Sequence, residues 1–287
     1  MIEVPRGSVE RQRWDSFVDS SADAWLFHRS EWLDYSMVYA SGAVDRSVAM
    51  LDGNGEVVGV SPAIDDGGVV RMGGDPCVGP VGISEITPER FLWRWTQPGT
   101  DTRETIKRLQ GMPRVARTEW QTVVQALRGR SLEDRWSDIR KSYRAVIRRV
   151  PADYNVIVGG LELWPQFAEC HRAAAKRPRS IGSYEHQRAM IQGGYGRVAI
   201  AVDGEGLCVA SVVAFVYRRR AYYASGPSIR RGVQHAVLWA MSKHLADEGV
   251  EAFEIGWTGQ PGGSENIEFF KRGFGSSRES VVVLSRN

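Results

Sequence analysis

The segment RVAIAVDGEGLCVASVVAFVYRRRAYYASG, residues 197–226, decides the fold of the chain. It contains three runs in which valine and aromatic residues are frequent, a composition that is typical of β-strands. The first two runs are joined by GEG at 204–206, and the last two by three arginines at 218–220. Such short connections favour hairpins, so the segment predicts a meander of three antiparallel strands.

Helical and strand patterns surround this meander in a fixed order. They predict helices over 161–176, 184–193 and 232–248, a strand over 252–257, a short helix within 266–275, and a strand over 279–285. Two helices, three antiparallel strands, a helix, a strand, a short helix and a strand form the plan of an acyltransferase domain of the GNAT type. The C-terminal half of the chain is therefore predicted to be an α/β domain of this plan.

The N-terminal half also mixes helical and strand patterns. Helices are predicted over 9–21, 30–41, 88–97 and 101–110, and strands over 46–52, 56–64, 67–74 and 118–127. The DGNG sequence at 52–55 predicts a hairpin turn, because asparagine and glycine accept positive φ. A polar helix follows at 131–150 and is ended by Pro151, and Ser131 with Asp134 gives it a capping signal. We therefore expect an N-terminal domain over 1–130, a linking helix over 131–150 and a catalytic domain over 151–287.

Charge is nearly balanced along the chain. Its 37 basic and 34 acidic residues give a formal net charge of +3, which does not by itself indicate a nucleic-acid partner. The arginines are nevertheless clustered at 139–149, 172–179 and 218–231. Arginine suits phosphate because its planar group binds two oxygens at once, although any one cluster is most simply a solvated surface.

The cysteines are few and widely spaced. Cys77, Cys170 and Cys208 form no C-x-x-C pair, which argues against a disulfide framework and against a structural zinc site. The first residues lack an apolar signal core, and apolar residues never run together for the 18 positions of a membrane span. We therefore expect a cytoplasmic protein that needs no metal and has no membrane partner.

A lysine stands among aromatic residues in NIEFFKRGFG, residues 266–275. The pattern predicts buried positions at Ile267, Phe269, Phe270 and Phe274, with Lys271 between them. The simplest interpretation is that the stem of Lys271 packs on Phe270 while its ammonium group reaches water. A charge that is held among aromatic rings otherwise requires a partner or a chemical task.

The start of the predicted helix at 232–248 bears on the acyl donor. GNAT enzymes that use acetyl-CoA begin this helix with a loop of the form Q/R-x-x-G-x-G/A, whose backbone N–H groups bind the pyrophosphate. Here the matching residues are Arg230-Arg231-Gly232-Val233-Gln234-His235. Val233 and His235 place side chains where the loop has to approach phosphate closely. Gly232 is most simply an ordinary helix start, so the CoA pocket is predicted to be incomplete.

Several segments resemble the FemABX-type aminoacyl-tRNA-dependent transferases, which form peptide bonds outside the ribosome. The resemblance is strongest over 139–275 and thinner in the N-terminal half. The matching segments are RKSYRAVIRRV at 140–150, AAAKRPRSIGSYEHQRAM at 173–190, the meander at 197–226, FEIGWTG at 253–259, NIEFFKRGFG at 266–275, LFHRSEWLDYS at 26–36 and GDPCVGPVG at 74–82.

This resemblance implies both a fold and a reaction. The fold is two GNAT-like domains, each a mostly antiparallel mixed sheet flanked by helices, with the acceptor bound in the cleft between them. The reaction moves an aminoacyl group from tRNA to an amine without a cofactor. Lys271 matches the family's lysine that stabilises the oxyanion, and Phe270 shapes the donor pocket. An aminoacyl ester is already activated, so the lack of a Ser-His-Asp or Cys-His arrangement is expected.

Departures from the family pattern bear on the acceptor. Two residues after Trp32, the cell-wall members carry a lysine that contacts a diphosphate, and here that position is Asp34. After Glu254-Ile255-Gly256, where those members carry a second glycine, this chain has Trp257. An aspartate repels a diphosphate, so we expect a small peptide-like acceptor, as in antibiotic assembly, in place of a UDP-linked muropeptide. Arg179 lies near the family's other phosphate contact and is equally explained by solvation. Tyr223 is assigned to the substrate site.

The leading hypothesis is therefore a tRNA-dependent aminoacyltransferase, with a monomer favoured. The alternatives are an N-acyltransferase that uses acyl-CoA and a catalytically silent tRNA-binding module. The predicted tRNA-binding side chains share a positive charge and lie in two of the arginine clusters. They are Arg140, Lys141, Arg144, Arg148, Arg149, Arg218, Arg219 and Arg220.

Overall fold

The computed structural model describes residues 1–22, 24–39, 42–66, 69–71, 81–82, 91–96, 111, 115–175, 179–259, 263–275 and 277–286. The chain divides into two compact units, one of residues 1–120 with 280–287 and one of residues 121–279, called unit 1 and unit 2 below. The domain limits predicted at 130 and 150 stay a prediction. In the part of the chain that is described, no helix is long and apolar enough to cross a membrane.

Unit 1 contains short strands and two helices. The strands are β1 (Ile2–Pro5), β2 (Val44–Asp45), β3 (Val48–Leu51), β4 (Val57–Ser61), β5 (Ile64–Asp66), β6 (Val69–Arg71), β7 (Val81–Gly82) and β8 (Phe91–Thr96). The helices are α1 (Arg11–Ser20) and α2 (Ser30–Tyr39), with 3-10 turns at Arg6–Ser8 and Leu26–His28. Strands β1, β3, β4 and β7 form an antiparallel sheet in that order. The first two predicted helices and the first two predicted strands are confirmed to within three residues at each end.

The core of unit 1 is aromatic and is held by one buried arginine. Trp14 of α1 is fully buried and donates from its indole nitrogen to the carbonyl oxygen of His28 at 2.8 Å. The buried Arg29 side chain binds the carboxylates of Asp19 and Glu31. A buried guanidinium is tolerated only when its charge is paired, so this residue fixes the start of α2 against α1.

Unit 2 is built on the predicted meander. Its complete strands are β10 (Asn155–Gly159), β11 (Gly196–Val202), β12 (Cys208–Tyr217), β13 (Arg220–Ser225) and β14 (Ala252–Thr258). Two further strands belong to it in part: β9 (Val115–Ala126) from residue 121 onward, and β15 (Ser277–Arg286) up to residue 279. The sheet order is β10-β11-β12-β13-β14-β9, in which only the β13–β14 pair is parallel. The meander β11-β12-β13 is confirmed, and β10 is a strand that the sequence pattern did not predict.

Helices flank this sheet. They are α3 (Leu132–Asp138), α4 (Lys141–Arg149), α5 (Trp164–Ala174), α6 (Ile181–Gln192), α7 (Val233–Asp247) and α8 (Glu265–Arg272), with 3-10 turns at Val150–Ala152 and Leu161–Leu163. The central helix α7 buries Val237, Leu238, Met241 and Leu245 in the hydrophobic core of unit 2. Fully burying one such side chain contributes about 1.5–3 kcal/mol, so this face is a main source of stability for the unit.

One of the helices predicted in the N-terminal half is a strand. The segment predicted as a helix over 88–97 contains strand β8, which pairs with β15 from Phe91–Arg286 to Thr96–Val281. Its sequence FLWRWT is rich in aromatic residues, which pack well on a pleated surface, and this preference outweighed the helical spacing. The predicted helix over 101–110 and residues 74–80 of the GDPCVGPVG segment, with Cys77, lie outside the described residues.

The polar segment 131–150 is two helices and not one. The Ser131 cap is confirmed, since its hydroxyl accepts from the Asp134 N–H at 3.0 Å while the Asp134 carboxylate accepts from the Ser131 N–H at 3.2 Å. The break falls at Ile139 and Arg140, whose backbones are extended with ψ of 134° and 132°. Ile139 is buried in the core of unit 2. Burial of this side chain and of Tyr143 and Ile147 in α4 packs the segment inside unit 2.

Gly196, at the start of β11, leaves no room for a side chain. A Cβ atom there would lie 2.4 Å from Cγ1 of Ile191 and 3.2 Å from its Cα. We expect Gly196→Ala to lower the free energy of unfolding by about 1–3 kcal/mol, because the helix end and the strand have to move apart. Urea denaturation measures this change. Gly204→Ala is the control, since a methyl group there meets nothing within 4 Å; equal stability of the two variants would contradict the prediction.

Candidate functional site

The ammonium group of Lys271 is held against the backbone and is not simply solvated. Lys271 lies in the last turn of α8, is half-buried, and donates from Nζ to the carbonyl oxygen of Trp257 at 3.1 Å. Trp257 belongs to β14, so this bond ties the helix to the strand that precedes it. The sequence singled out the lysine, and the structure adds the backbone acceptor that orients it.

Gly256 makes this approach possible. Its φ of 106° lies in a region that side-chain-bearing residues rarely adopt. The register of β14 against β9 shifts between Glu254 and Gly256, which marks a β-bulge. A Cβ atom on Gly256 would lie 3.1 Å from Nζ of Lys271, so the space next to the ammonium group depends on a glycine here.

Strands β13 and β14 part beside this bulge. They pair in parallel over three positions, from Arg220–Ala252 to Tyr222–Glu254. Beyond that register, among the residues that the structure describes, β13 pairs with β12 and β14 pairs with β9. The opening between two parallel strands lies next to Gly256, and no sequence signal predicted it.

Tyr223 lies on β13 at the point where the strands part. Its hydroxyl interacts with the side chain of Gln234, and burial raises the pKa of Tyr223 to about 12. Gln234, in the first turn of α7, donates from Nε2 to the carbonyl oxygen of Ser211 at 3.1 Å. At neutral pH Tyr223 is therefore an un-ionised hydroxyl, held between the strand and the start of the central helix.

Glu254 and Arg220 are internal to unit 2. The buried Glu254 carboxylate accepts from the Thr122 hydroxyl at 2.8 Å and from the Arg220 guanidinium at 3.3 Å, and Arg220 also binds Glu279 at 2.9 Å. Burial raises the pKa of Glu254, although Arg220 and Thr122 both act to lower it. Both side chains are thus paired inside the sheet. A substrate contact by Glu254 and a phosphate contact by Arg220 stay predictions.

The aromatic residues of α8 divide between core and surface. Phe270 is half-buried against Phe274, with ring centroids 5.2 Å apart, and Phe274 is fully buried. Ile267 and Phe269 were predicted to be buried, but they are 56% and 58% exposed. Phe270 therefore packs inward against Phe274, which follows the helix, while Ile267 and Phe269 project outward.

Arg179 lies near a buried histidine. His171 Nδ1 is 2.7 Å from the hydroxyl of Tyr184. Burial, aided by the positive charges of Arg179 and Arg172, lowers the pKa of His171 to about 4. His171 is therefore neutral at physiological pH, and Arg179 adds positive charge to this side of α5 and α6. Its contact with an acceptor stays a prediction.

Trp32 and Asp34 are parts of unit 1. Trp32 is 2% exposed and packs on Phe27, with ring centroids 4.7 Å apart, so it lies in the core. The Asp34 carboxylate binds Arg6 at 2.8 Å and Arg11 at 3.0 Å. Two guanidinium groups balance its charge, which weakens the argument that Asp34 repels a diphosphate. Direct substrate contact by either residue stays a prediction.

The predicted tRNA-binding residues have different surroundings. Lys141 and Arg149 of α4 are exposed and Arg144 is half-exposed, as a phosphate-binding surface requires. Three other side chains are also exposed, but each is engaged: Arg148 lies over the ring of Trp136, Arg218 over Tyr217, and Arg219 in an ion pair with Glu251. Arg140 instead contacts α8, as described further below.

The start of α7 differs from a loop that binds pyrophosphate. Gly232 has a left-handed φ of 89° and precedes the helix. The His235 ring packs edge-on against Tyr143 at 4.2 Å, and its Nδ1 lies 2.9 Å from the Gly232 carbonyl oxygen. Burial lowers the pKa of His235. The histidine side chain is thus part of the packing between α4 and α7.

Comparisons with solved structures identify the class of fold. FemX is 13% identical, with a TM-score of 0.66 over 98% of this chain and 97% of that one. The C-terminal domain of a putative lysylphosphatidylglycerol synthetase from Agrobacterium fabrum is 13% identical, with a TM-score of 0.60 over 96% and 92%. A tandem GNAT protein from the clavulanic acid biosynthesis pathway is 13% identical, with a TM-score of 0.51 over 99% and 97%.

The fold is therefore of the GNAT type, mixed α/β with mostly antiparallel sheets and two GNAT-like domains. More particularly, it is the fold of FemX along almost the whole chain. These findings confirm the fold that the resemblance implied. No family model matches the sequence, and no curated protein matches it either.

The raised pKa of Glu254 leads to a pH-dependent stability. Because burial raises the pKa of the folded protein above the ordinary 4.5, the folded state binds this proton more tightly than the unfolded chain does. The stabilisation is complete at low pH and is lost as the pH rises through the raised pKa. Glu254→Gln removes this titration. As the pH rises from the ordinary pKa to the raised one, the unfolding free energy of the variant should therefore increase relative to that of the wild type by about 1.4 kcal/mol per pH unit.

Urea denaturation between about pH 4 and pH 8 tests this dependence. Glu169→Gln is the control, because Glu169 is exposed on α5. A difference between the Glu254→Gln variant and the wild type that stays constant with pH would show that the Glu254 carboxyl group does not titrate in this way.

Proposed function

We propose that the protein is a transferase that moves an aminoacyl group from aminoacyl-tRNA to the amine of a small peptide-like acceptor. The observation that carries this proposal is the ammonium group of Lys271, oriented by the Trp257 carbonyl oxygen next to Gly256. The fold of FemX supports it, since FemX and this chain align over nearly their full lengths.

The proposed reaction needs a placed cation and no nucleophile of the protein's own. The acceptor amine attacks the ester carbonyl carbon, and the C–N bond forms while negative charge develops on the carbonyl oxygen. The Lys271 ammonium stabilises that oxyanion, since a preorganised charge lowers the barrier by a few kcal/mol. The bond between the carbonyl carbon and the ribose oxygen then breaks, and the departing ribose oxygen takes up the proton that the amine loses, which gives the free hydroxyl.

The bond to Trp257 matters for this role. An ammonium group carries three N–H donors, and one of them is fixed by the carbonyl oxygen of Trp257. Fixing one donor restricts the rotation of the group and of the flexible lysine stem. The cost of orienting the cation is then met during folding and not during the reaction.

The proposed tRNA surface is smaller than the sequence suggested. Lys141, Arg144 and Arg149 present positive charge along α4, whereas Arg220 is paired internally. Phosphate contacts from lysine and arginine provide affinity without reading sequence. Exposed cations on one short helix suit the backbone of an RNA stem.

The proposed acceptor is an intermediate of natural-product or antibiotic assembly. Trp257 stands where the family pattern has its second glycine, and its indole is buried, so this part of β14 leaves less open space than a glycine would for a bulky acceptor. The likeness to a tandem GNAT protein from the clavulanic acid biosynthesis pathway supports a setting of this kind.

An acyl-CoA-dependent N-acyltransferase is the second candidate. The left-handed Gly232 before α7 favours it, because a helix N-terminus can bind phosphate, whereas the His235 side chain at that helix start counts against a pyrophosphate loop. Product formation that survives RNase A and is supported by acetyl-CoA would favour this candidate over the tRNA-dependent reaction. Turnover that requires Lys271 would exclude the third possibility, a silent tRNA-binding module.

Replacement of Lys271 tests the proposed chemistry. Methionine keeps the unbranched stem and much of its packing, so Lys271→Met removes mainly the charge. We expect kcat to fall by about 10²–10³, the loss seen when one oxyanion donor is removed, with little change in stability. Single-turnover assays with a pool of charged tRNAs and mass-spectrometric detection of the product measure this effect.

Lys243→Met is the matched control, because Lys243 is an exposed lysine of α7. Lys271→Arg should restore only part of the rate, since the guanidinium group is longer and spreads its charge. Wild-type kcat in the Lys271→Met variant would mean that the ammonium group has no part in catalysis.

The salt dependence of tRNA binding tests the proposed surface. Because each phosphate contact releases counterions, the logarithm of affinity should fall linearly with the logarithm of salt concentration. Replacing Lys141, Arg144 and Arg149 together with glutamine should reduce that slope by roughly 2–3. Neutralising Lys243 and Arg197, which lie on other elements, should leave the slope unchanged. A flat salt dependence in the wild type would rule out electrostatic docking on α4.

A further inference from the structure

The short helix α8, which carries Lys271, depends on contacts from outside itself. It has eight residues, and isolated helices below about 12 residues are marginal in water. Its last four carbonyl groups, those of Phe269, Phe270, Lys271 and Arg272, have no donors within the helix. The position of Lys271 therefore depends on what satisfies the end of this helix.

Two of these four carbonyl groups accept hydrogen bonds from backbone N–H groups that follow the helix. The Gly273 N–H donates to the Phe270 carbonyl oxygen at 3.0 Å, and the Phe274 N–H donates to that of Lys271 at 3.0 Å. The carbonyl oxygen of Phe269 is instead bound by two side chains at the start of α4, that of Arg140 just before the helix and that of Tyr143 in its first turn. Tyr143 donates to it from its hydroxyl at 3.2 Å, and Arg140 donates to it from Nη1 at 3.1 Å.

Arg140 and Tyr143 act together on this carbonyl. Arg140 Nη1 also donates to the Tyr143 hydroxyl at 3.1 Å, so the hydroxyl accepts one hydrogen bond and passes one on to Phe269. The Arg140 guanidinium lies 3.7 Å from the centroid of the Phe269 ring. A positive charge at the C-terminal turn of a helix is also favourable for the helix dipole.

The backbone and the packing reinforce the same contact. The Arg140 N–H donates to the carbonyl oxygen of Gly273 at 2.9 Å. A Cβ atom on Gly273 would lie 2.1 Å from Cε2 of Tyr143, so the chain after α8 passes directly against the tyrosine ring. The same ring packs 6.2 Å from Phe270 and 5.5 Å from Phe274.

We propose that Arg140 and Tyr143 are positioning residues for Lys271, a role that rests on the proposed function of that lysine. They cap the C-terminal turn of α8 through the Phe269 carbonyl, two residues before Lys271. The second contact that fixes Lys271 is the carbonyl oxygen of Trp257, which accepts a hydrogen bond from the ammonium group itself. Lys271 is thus fixed through its helix by α4 and through its ammonium group by β14.

This arrangement gives Arg140 a different task from its neighbours on α4. Lys141, Arg144 and Arg149 are available to phosphate, whereas the Arg140 guanidinium is bonded to α8. Loss of Arg140 should therefore change the rate of the reaction, and loss of the other three should change tRNA affinity.

Tyr143→Phe is the sharpest test, because it removes one hydroxyl and keeps the ring. We expect kcat to fall about five-fold, the equivalent of one hydrogen bond, with KM for the charged tRNA unchanged. In the Lys271→Met background the same replacement should cause no further loss, because it acts only through Lys271. An equal loss in both backgrounds would overturn the proposal.

Tyr154→Phe is the matched control, since Tyr154 is a partly buried tyrosine that packs on the same core. Hydrogen exchange of the α8 amides gives a readout that is independent of activity. It should be faster in Tyr143→Phe and unchanged in Tyr154→Phe, and unchanged exchange in Tyr143→Phe would overturn the capping role. If Lys271→Met kept wild-type kcat, the proposed function would fail, while the exchange measurement would still support or overturn the contact between α4 and α8.

Discussion

The arrangement of unit 2 depends on one constraint, the left-handed backbone of Gly256 at the bulge of β14. Before this residue β14 is paired with β13 as well as β9, and after it the described partner of β14 is β9. The bulge lets the two parallel strands separate, and the missing side chain leaves space for Nζ of Lys271. A residue with a Cβ atom would strain the backbone and crowd the ammonium group at the same time. The geometry of the sheet and that of the candidate site therefore have the same origin.

A second feature is the way in which unit 2 places charge inside the sheet. Arg220 of β13 joins Glu254 of β14 to Glu279 of β15, and Thr122 of β9 completes the group. Removing one partner from such a buried group leaves an uncompensated charge, which typically costs several kcal/mol. The charges thus hold four strands in register directly below the point where β13 and β14 part, and they keep that end of the sheet rigid.

The sequence predicted the regular parts of this structure well. The meander, the central helix α7 and the short helix α8 follow from local patterns of apolar residues, which act within a few positions. The separation of β13 from β14 could not be predicted, because it depends on a bulge whose only sign is one glycine among 31. Likewise, Lys271 was recognised from its motif, but its hydrogen-bond acceptor could not be predicted. That acceptor is the backbone carbonyl of residue 257, which every amino acid at this position would supply. Arg140 and Arg220 looked like surface charges because their partners, Phe269 and Glu279, are distant in sequence.

The pairing of β9 with β14 has a consequence for how the chain is made. Ala126 is synthesised long before its partner Ala252, and at about 5–20 residues per second the interval is on the order of ten seconds. During that time β9 has an unpaired edge in the nascent chain, of the kind that other chains can join. The sheet of unit 2 is therefore completed late in translation, when β14 pairs with β9. We expect the folding of this unit to be slow and to become more efficient when a chaperone shields the edge of β9.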